Sequence, residues 1–383
     1  MQDLKSIARL LLGALVAAGL TLGASAVAQD YDAWLRQVQM GPYQPAEEDW
    51  DAILEAARSE PPLVLYTETS RAFPMVEAFE AETGLSVEGI NLRGTEIIER
   101  IRREFDAGIY NVGVVLVGSG ALIQDQLISR NALTAYTPSE LVPLMDESAM
   151  APLMVHRYSV GTWYFKNEAD PETPPYTNIW AFTTPEFTNR VAINSPLVSG
   201  TTMEYMVGLV SNADLMAELY EEYFGEPIRL AVTENAGYEF IKRLLENQAR
   251  VVPAFRDVSA AVSAGQGYFV GFGAHSAYAA VVRGEFDFRL DTDVAPAVLS
   301  PRYIGIGTFT QSPNTAKLLL RWLTSQEGGS VWWGEDFPGN PTVVSTGEME
   351  TLTLASFDKL WDTPIEQQLQ LRDDIADFFI LYQ

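Results

Sequence analysis

The sequence predicts an α/β protein of two lobes, each built on a mainly parallel sheet with helices on both faces. Three observations carry this. Strand-like and helix-like segments alternate from Leu63 onward, which is the rhythm of βαβ units. The connections ahead of the helices are made of glycine and small hydroxyl residues. Without its first 28 residues the chain still has about 355, more than one hydrophobic core ordinarily supports.

Residues 1–28 read as a cleavable secretory signal peptide. Lys5 and Arg9 give the basic start, Leu10 to Leu22 the apolar run, and Ala26 and Ala28 flank Val27 at a small-residue cleavage site. A membrane span takes ~20 apolar residues, and no later stretch is long and apolar enough. The expectation is a periplasmic protein that does not insert in a membrane after cleavage. Residues 29–45 form a polar and aromatic leader with no clear period.

The elements then follow in order. Trp50, Ile53, Leu54 and Ala57 recur at helical spacing. Leu63–Tyr66 is a strand, and TETS leads into a helix carrying Phe73, Val76 and Phe79 that Gly84 closes. Residues 85–90 are a second strand, NLRGT precedes the amphipathic helix EIIERIRREFDAG, and residues 112–117 are a third strand before GSG and the helix ALIQDQLIS. Residues 154–166 read as a longer extended segment. The second α/β region has a strand at 189–194, the loop SPLVSGTT, and helices at 203–210, 214–223 and 238–247. A strand at 268–272, a helix at 276–282, an extended stretch at 304–309 and helices at 315–325 and 363–382 complete the chain.

Composition removes several classes of function. The formal net charge is −26, and nucleic-acid binding needs a basic footprint. There is no cysteine, hence no disulfide, thiolate metal site, cysteine nucleophile or lipidated N-terminal cysteine. No phosphate-loop or paired-histidine zinc motif occurs. GAHSA at 273–277 has the outline of a nucleophile elbow, but Ala274 and Tyr278 stand where glycines belong, and His156 and His275 are the only histidines. Nothing in the sequence supports catalysis.

Binding is better supported. Four connections end at predicted helix starts: Thr67-Glu68-Thr69-Ser70, Gly94-Thr95, Gly118-Ser119-Gly120 and Ser195 to Thr202. In open α/β sheets ligands sit beyond the carboxyl ends of the strands, where helix N-termini favour anionic groups. Plain N-capping accounts for any one such loop; four at corresponding places in two lobes make a cleft an equal reading. Arg71, Arg93, Arg157 and Arg302 are candidates to neutralise an anion. Trp163, Tyr164, Trp332 and Trp333 read as packing, whereas Tyr205, Tyr268 and Tyr278 are placed to reach a cleft.

From about residue 50 to 330 the chain resembles the periplasmic solute-binding proteins of ABC importers, in the family that includes ferric-iron binders. The pieces are LVLYTETS, GTEIIERIRREFDAG, VVLVGSGALIQDQLISRNALTAYTP, WAFTTPEFTNRVAINSPLVSGTT, AVSAGQGYFVGFG and SPNTAKLLLRWLTSQEG, in that order. The resemblance implies two α/β lobes clamping a ligand, with hinge crossings near 156–166 and 298–309. Lobe 1 would span 46–157, lobe 2 158–300, and residues 301–383 a return segment with C-terminal helices packing mainly on lobe 1. It implies a monomeric, non-catalytic receptor without a cofactor, presenting its ligand to a permease of the inner membrane. The implied lining is Thr67, Thr69, Ser70, Gly94, Thr95, Ser119, Ser199, Gly200, Thr201, Thr202, Ala274 and His275.

Ferric members of the family typically carry two adjacent tyrosines where this chain has Ala274-His275-Ser276-Ala277, with one Tyr278 beyond. A small organic or phosphorylated anion is therefore favoured. The alternatives are Fe³⁺ held by Tyr205, Tyr278 and His275, a polyamine drawn by Glu68 and Glu96, and a secreted hydrolase.

Overall fold

The computed structural model describes residues 31–69, 72–325, 328 and 356–383. The signal peptide, Ser70, Arg71, Trp332 and Trp333 lie outside the described residues. The leader, read without a period, is helical over residues 31–38. It buries Leu35 and Met40, and buried Lys317 donates to the Val38 carbonyl at 2.6 Å.

The chain first lays down α1 (Trp50–Ala57), β1 (Leu63–Thr67), α2 (Ala72–Thr83), β2 (Val87–Asn91), α3 (Gly94–Asp106), β3 (Val114–Val117) and α4 (Gly120–Gln126). Short β4 (Leu133–Thr134) and long β5 (Met154–Asn167) follow. Next come β6 (Val191–Asn194), α5 (Gly200–Ser211), α6 (Ala213–Phe224), α7 (Ala236–Glu246), β7 (Arg250–Val252), α8 (Phe255–Ser263), β8 (Tyr268–Ala274), α9 (Tyr278–Val282) and β9 (Arg289–Leu290). The chain returns through β10 (Ala297–Gly307) to α10 (Pro313–Thr324), β11 (Leu360–Trp361) and α11 (Ile365–Tyr382).

Local sequence explains these elements. In α3, Ile97, Ile98 and Ile101 are buried, while Arg100–Glu104 and Arg103–Glu99 pair at i,i+4 on the wetter face. All four residues of β3 are buried, as befits a strand covered on both sides.

One sheet runs through the molecule in the order β2-β1-β3-β10-β5-β8-β6-β7. Its outer parts are parallel: β1 with β2 and β3, and β6 with β7 and β8. Its middle is antiparallel, β10 lying between β3 and β5, and β5 beside β8. The expected parallel sheets are therefore present as two halves, stitched by two long antiparallel strands.

Each half has its own core. Leu63, Leu65, Phe79, Ile97 and Val115 gather in the first with Met154 and Val155 from the start of β5. Trp163, Phe165, Trp180, Phe182 and Phe272 gather in the second. Strand alternation sends Tyr164 to the opposite face, where it stacks on Phe288 at 4.6 Å. Both long strands thus pass from one core to the other, and the β5–β10 register slips between Arg302 and Tyr303.

The C-terminal packing corrects an expectation. α10 does bury Leu319 and Leu320 in the first core, but α11 puts Ile375 and Phe379 into the second. It packs against α5, α4 and α7, so it bridges the two halves rather than lying mainly on lobe 1.

Candidate functional site

The strand ends and helix starts of the two halves face each other across a cleft of about 380 Å³. From the first half come Glu68, Thr69, Arg93, Gly94, Thr95 and Ser119. The second contributes Asn194, Val198, Ser199, Gly200, Thr201, Pro253, Ala254, Phe255, Ala274 and Ser276. Arg157, Ser159 and Arg302, on the long strands, form its floor.

Arg302 and Arg157 are direct partners across the β5–β10 pair. Residues directly opposite on antiparallel strands lie about 5 Å apart at Cβ, and like charges there repel. Arg302 is steadied by hydrogen bonding its Nη2 to Thr201 Oγ1 at 2.7 Å, and its Nε lies 3.6 Å from Glu68 Oε1. Glu68 in turn accepts from the Gly118 N–H at 3.2 Å. Among the described residues, three arginines thus line the cleft against one carboxylate, in a protein whose overall charge is −26.

Three helices of useful length begin at this cleft. α5 is capped by Ser199, which accepts from the Thr202 N–H at 3.3 Å. α3 starts after Arg93, whose N–H is capped by Glu96 at 3.2 Å, and α8 starts after Ala254. Their N-termini add partial positive charge beside the arginines.

Ser119 has a left-handed backbone, φ 66° and ψ 60°, and its side chain does not cap α4. That conformation costs a non-glycine residue about 1–3 kcal/mol and persists where the surroundings over-determine it. Its Oγ occupies the space where a side chain on Gly200 would begin, so glycine at 200 leaves room for this placement of the Ser119 hydroxyl.

Of the residues singled out from sequence, Thr69, Gly94, Thr95, Ser119, Ser199, Gly200, Thr201 and Ala274 line this cleft, with Arg93, Arg157 and Arg302. Three do not. Thr67 is fully buried, its Oγ1 accepting from the Thr69 N–H at 3.3 Å. Thr202 turns inward and bonds Ser199 Oγ at 3.1 Å. His275 is buried, its Nδ1 accepting from the Val160 N–H at 2.9 Å, a bond that braces β5.

Of the residues named for iron, Tyr205 and His275 are both buried and do not line the cleft. Tyr205 is 3% exposed, accepts from Trp163 Nε1 at 2.8 Å and stacks on Phe272; burial pushes its hydroxyl well above the usual tyrosine range. Among the described residues no group of three or more His, Asp or Glu is arranged to hold a metal ion. Glu96, suggested for a polyamine, is the α3 cap and does not line the cleft.

Sequence reading missed Pro253–Phe255 because β7 has three residues and left no strand pattern. The available signal was Val258, Ala261 and Val262 at helical spacing just after VVP. Ser159 and Asn194 sit within strands, where lining cannot be told from an ordinary outward residue.

No family model matches the sequence, and no curated protein matches it. Solved structures do match in fold. Iron-bound HitA from Pseudomonas aeruginosa superposes with a TM-score of 0.63 at 15% identity, covering 82% of this chain and 100% of that one. AfuA, a periplasmic binding protein from Actinobacillus pleuropneumoniae with fructose-6-phosphate bound, gives 0.62 at 16% identity, covering 84% and 98%. A substrate-binding protein of an ABC transporter from Agrobacterium tumefaciens gives 0.62 at 16% identity, covering 86% and 96%. The chain has the two-lobed fold of the periplasmic substrate-binding proteins. No helix among the described residues is long and apolar enough to cross a membrane.

Proposed function

We propose that this chain is the non-catalytic solute receptor of an ABC importer, exported to the periplasm, and that it binds a small organic or phosphorylated anion. The carrying observation is the Arg157–Arg302 pair, two like charges held directly opposite each other on the cleft floor. Two like charges directly opposite each other repel, and an anion bound beside them offsets that repulsion through charge-assisted hydrogen bonds. Arg93 and the starts of α3, α5 and α8 add donors from both lobes. A ligand touching both lobes favours the closed arrangement by its differential affinity, and the closed receptor is what a permease would engage.

The fold relatives named for iron and for fructose-6-phosphate show that this architecture carries quite different cargoes. The arginine floor favours the second kind for this chain.

A thermal-shift screen of the mature protein tests the reading, because a ligand of the folded state alone raises the melting temperature by mass action. Sugar phosphates, carboxylates, Fe³⁺ and polyamines form the panel. A shift with phosphates or carboxylates is expected; shifts confined to Fe³⁺ or polyamines would remove the anion assignment.

A further inference from the structure

Behind the cleft floor lies a buried acid that anion binding by Arg302 alone does not explain. Glu204 stands one turn into α5, three residues after Thr201 and on the same helix face, and is 1% exposed. Its Oε2 accepts from Ser300 Oγ, Ser300 Oγ lies 3.1 Å from Thr201 Oγ1, and Thr201 Oγ1 accepts from Arg302 Nη2. A hydrogen-bonded chain therefore runs from the cleft-lining guanidinium to a carboxyl in the interior. Glu204 Oε1 has no hydrogen-bond partner among the described residues.

Burial is the largest influence on this carboxyl and pushes it up from an ordinary 4.5 to about 7. Arg302 and the Ser300 hydroxyl pull it down; Glu68 from the first half and Asp362 beyond β11 push it further up. The other titratable groups on this side are Tyr303 on β10, itself raised by burial, and Tyr158 on β5, which acts on Tyr303. His156 and Arg157 on β5 share a small cavity with Glu68, Arg302 and Tyr303, and burial holds His156 neutral, down at about 3. β8 faces α5 with the Phe272 ring on Tyr205, and α7 meets its far end through Gly237 against Leu209.

We propose that an anion bound at Arg302 is taken up together with one proton on Glu204, making Glu204 the positioning residue that adjusts the charge beneath the site. The proposal rests on the anion reading. The proton comes from solvent and stays on the carboxyl, and no other bond changes. With Glu204 ionised, Arg302 is shared between two carboxylates and an incoming anion meets both. With Glu204 neutral, only Glu68 competes. Linkage makes the effect reciprocal: the proton raises anion affinity by the factor by which the anion raises proton affinity. Affinity therefore rises as pH falls through the titration of Glu204, opposite to the effect of a phosphate ligand gaining charge with pH.

Sulfate serves as probe because its charge is constant over this range. Calorimetric titration from about pH 5.5 to about pH 8.5, in buffers of differing ionisation heat, is expected to show proton uptake near neutrality. Affinity is expected to fall about tenfold towards the alkaline end, the equivalent of a one-unit displacement of the carboxyl. Glu204→Gln should keep the acid-side affinity throughout and take up no proton, and Ser300→Ala, which removes the hydrogen bond favouring the carboxylate, should move the fall to higher pH. A flat wild-type profile, or an identical slope in Glu204→Gln, overturns the proposal. A second arm needs no ligand: the infrared carbonyl band of a protonated carboxyl, present in the wild type at about pH 6 and absent from Glu204→Gln, is expected to fade by about pH 8. Its absence overturns the proposal, whereas its presence without sulfate binding at any pH leaves the acid intact and defeats the anion reading beneath it.

Discussion

Thr201 Oγ1 accepts a 2.7 Å hydrogen bond from Arg302 Nη2, tying the first turn of α5 to the second long strand at the point where that strand passes between the cores. The hydroxyl aims the guanidinium into the cleft while sharing none of its charge.

Thr201→Val tests that aim. The shape is kept and the bond is lost, so affinity for the anion found by screening should fall about tenfold, the worth of a hydrogen bond to a charged group. Calorimetry on the purified variant would read it. Unchanged affinity would mean that Arg302 needs no help from α5.

Arg157→Met separates binding from architecture. Removing one of two opposed cations should leave the melting temperature of the ligand-free protein within a few degrees of wild type. Anion affinity should fall about 10- to 100-fold, as expected for a charge-assisted contact. A large loss of stability with normal affinity would recast Arg157 as a structural residue.

Gly161→Val probes the packing under the hinge. A Cβ at Gly161 would stand 2.6 Å from Thr201 Cγ2, 2.8 Å from Phe272 Cζ and 2.9 Å from Val298 Cγ1. Overpacking of this kind costs about 1–3 kcal/mol, readable as a lower urea midpoint. An unchanged midpoint would show that β5 and α5 can separate there freely.

Two buried groups set opposite pH slopes. Glu204 is raised from 4.5 to about 7, so the folded chain holds this proton more tightly than the unfolded one; its contribution declines from about pH 4.5 to about pH 7 and is level beyond. His156 is lowered from 6.5 to about 3, so its contribution is complete above about pH 6.5 and is lost as pH falls towards 3. Glu204→Gln should therefore be more stable than wild type at about pH 8, by at most about 3 kcal/mol at 1.36 kcal/mol per pH unit, and should show no such gain below about pH 4.5. A gain that is the same at both pH values would show that the carboxyl does not titrate there.

The alternation of strand and helix from Leu63 to Val117 was legible because each segment carries its own period and its own stop. The convergence of Thr69, Gly94, Ser119 and Ser199 on one cleft was also legible, since α/β topology brings loops after strands to one edge. What failed was rotation. Thr201 and Thr202 are chemically alike, yet a helix turns about 100° between neighbours, and only Thr201 lines the cleft. Thr67 was misplaced for the parallel reason: the last residue of a strand points to the face that pleating dictates, here inward. The helix at 363–382 was legible, but a helical pattern does not say which core will receive Ile375 and Phe379. His275 follows the cleft residue Ala274 in sequence, yet its ring is buried and holds the backbone N–H of Val160, a contact the sequence does not show.

The seam between β5 and β10 also sets where this molecule can be cut. β10 is the neighbour of β3 on one side and of β5 on the other, so neither half owns a finished sheet. A gene fragment ending before β5 would leave β3 as a bare edge, its four valine and leucine residues offered to any passing strand. Circular permutants and split reporters made from this protein should therefore be opened in surface turns away from the seam, keeping both long strands on one piece.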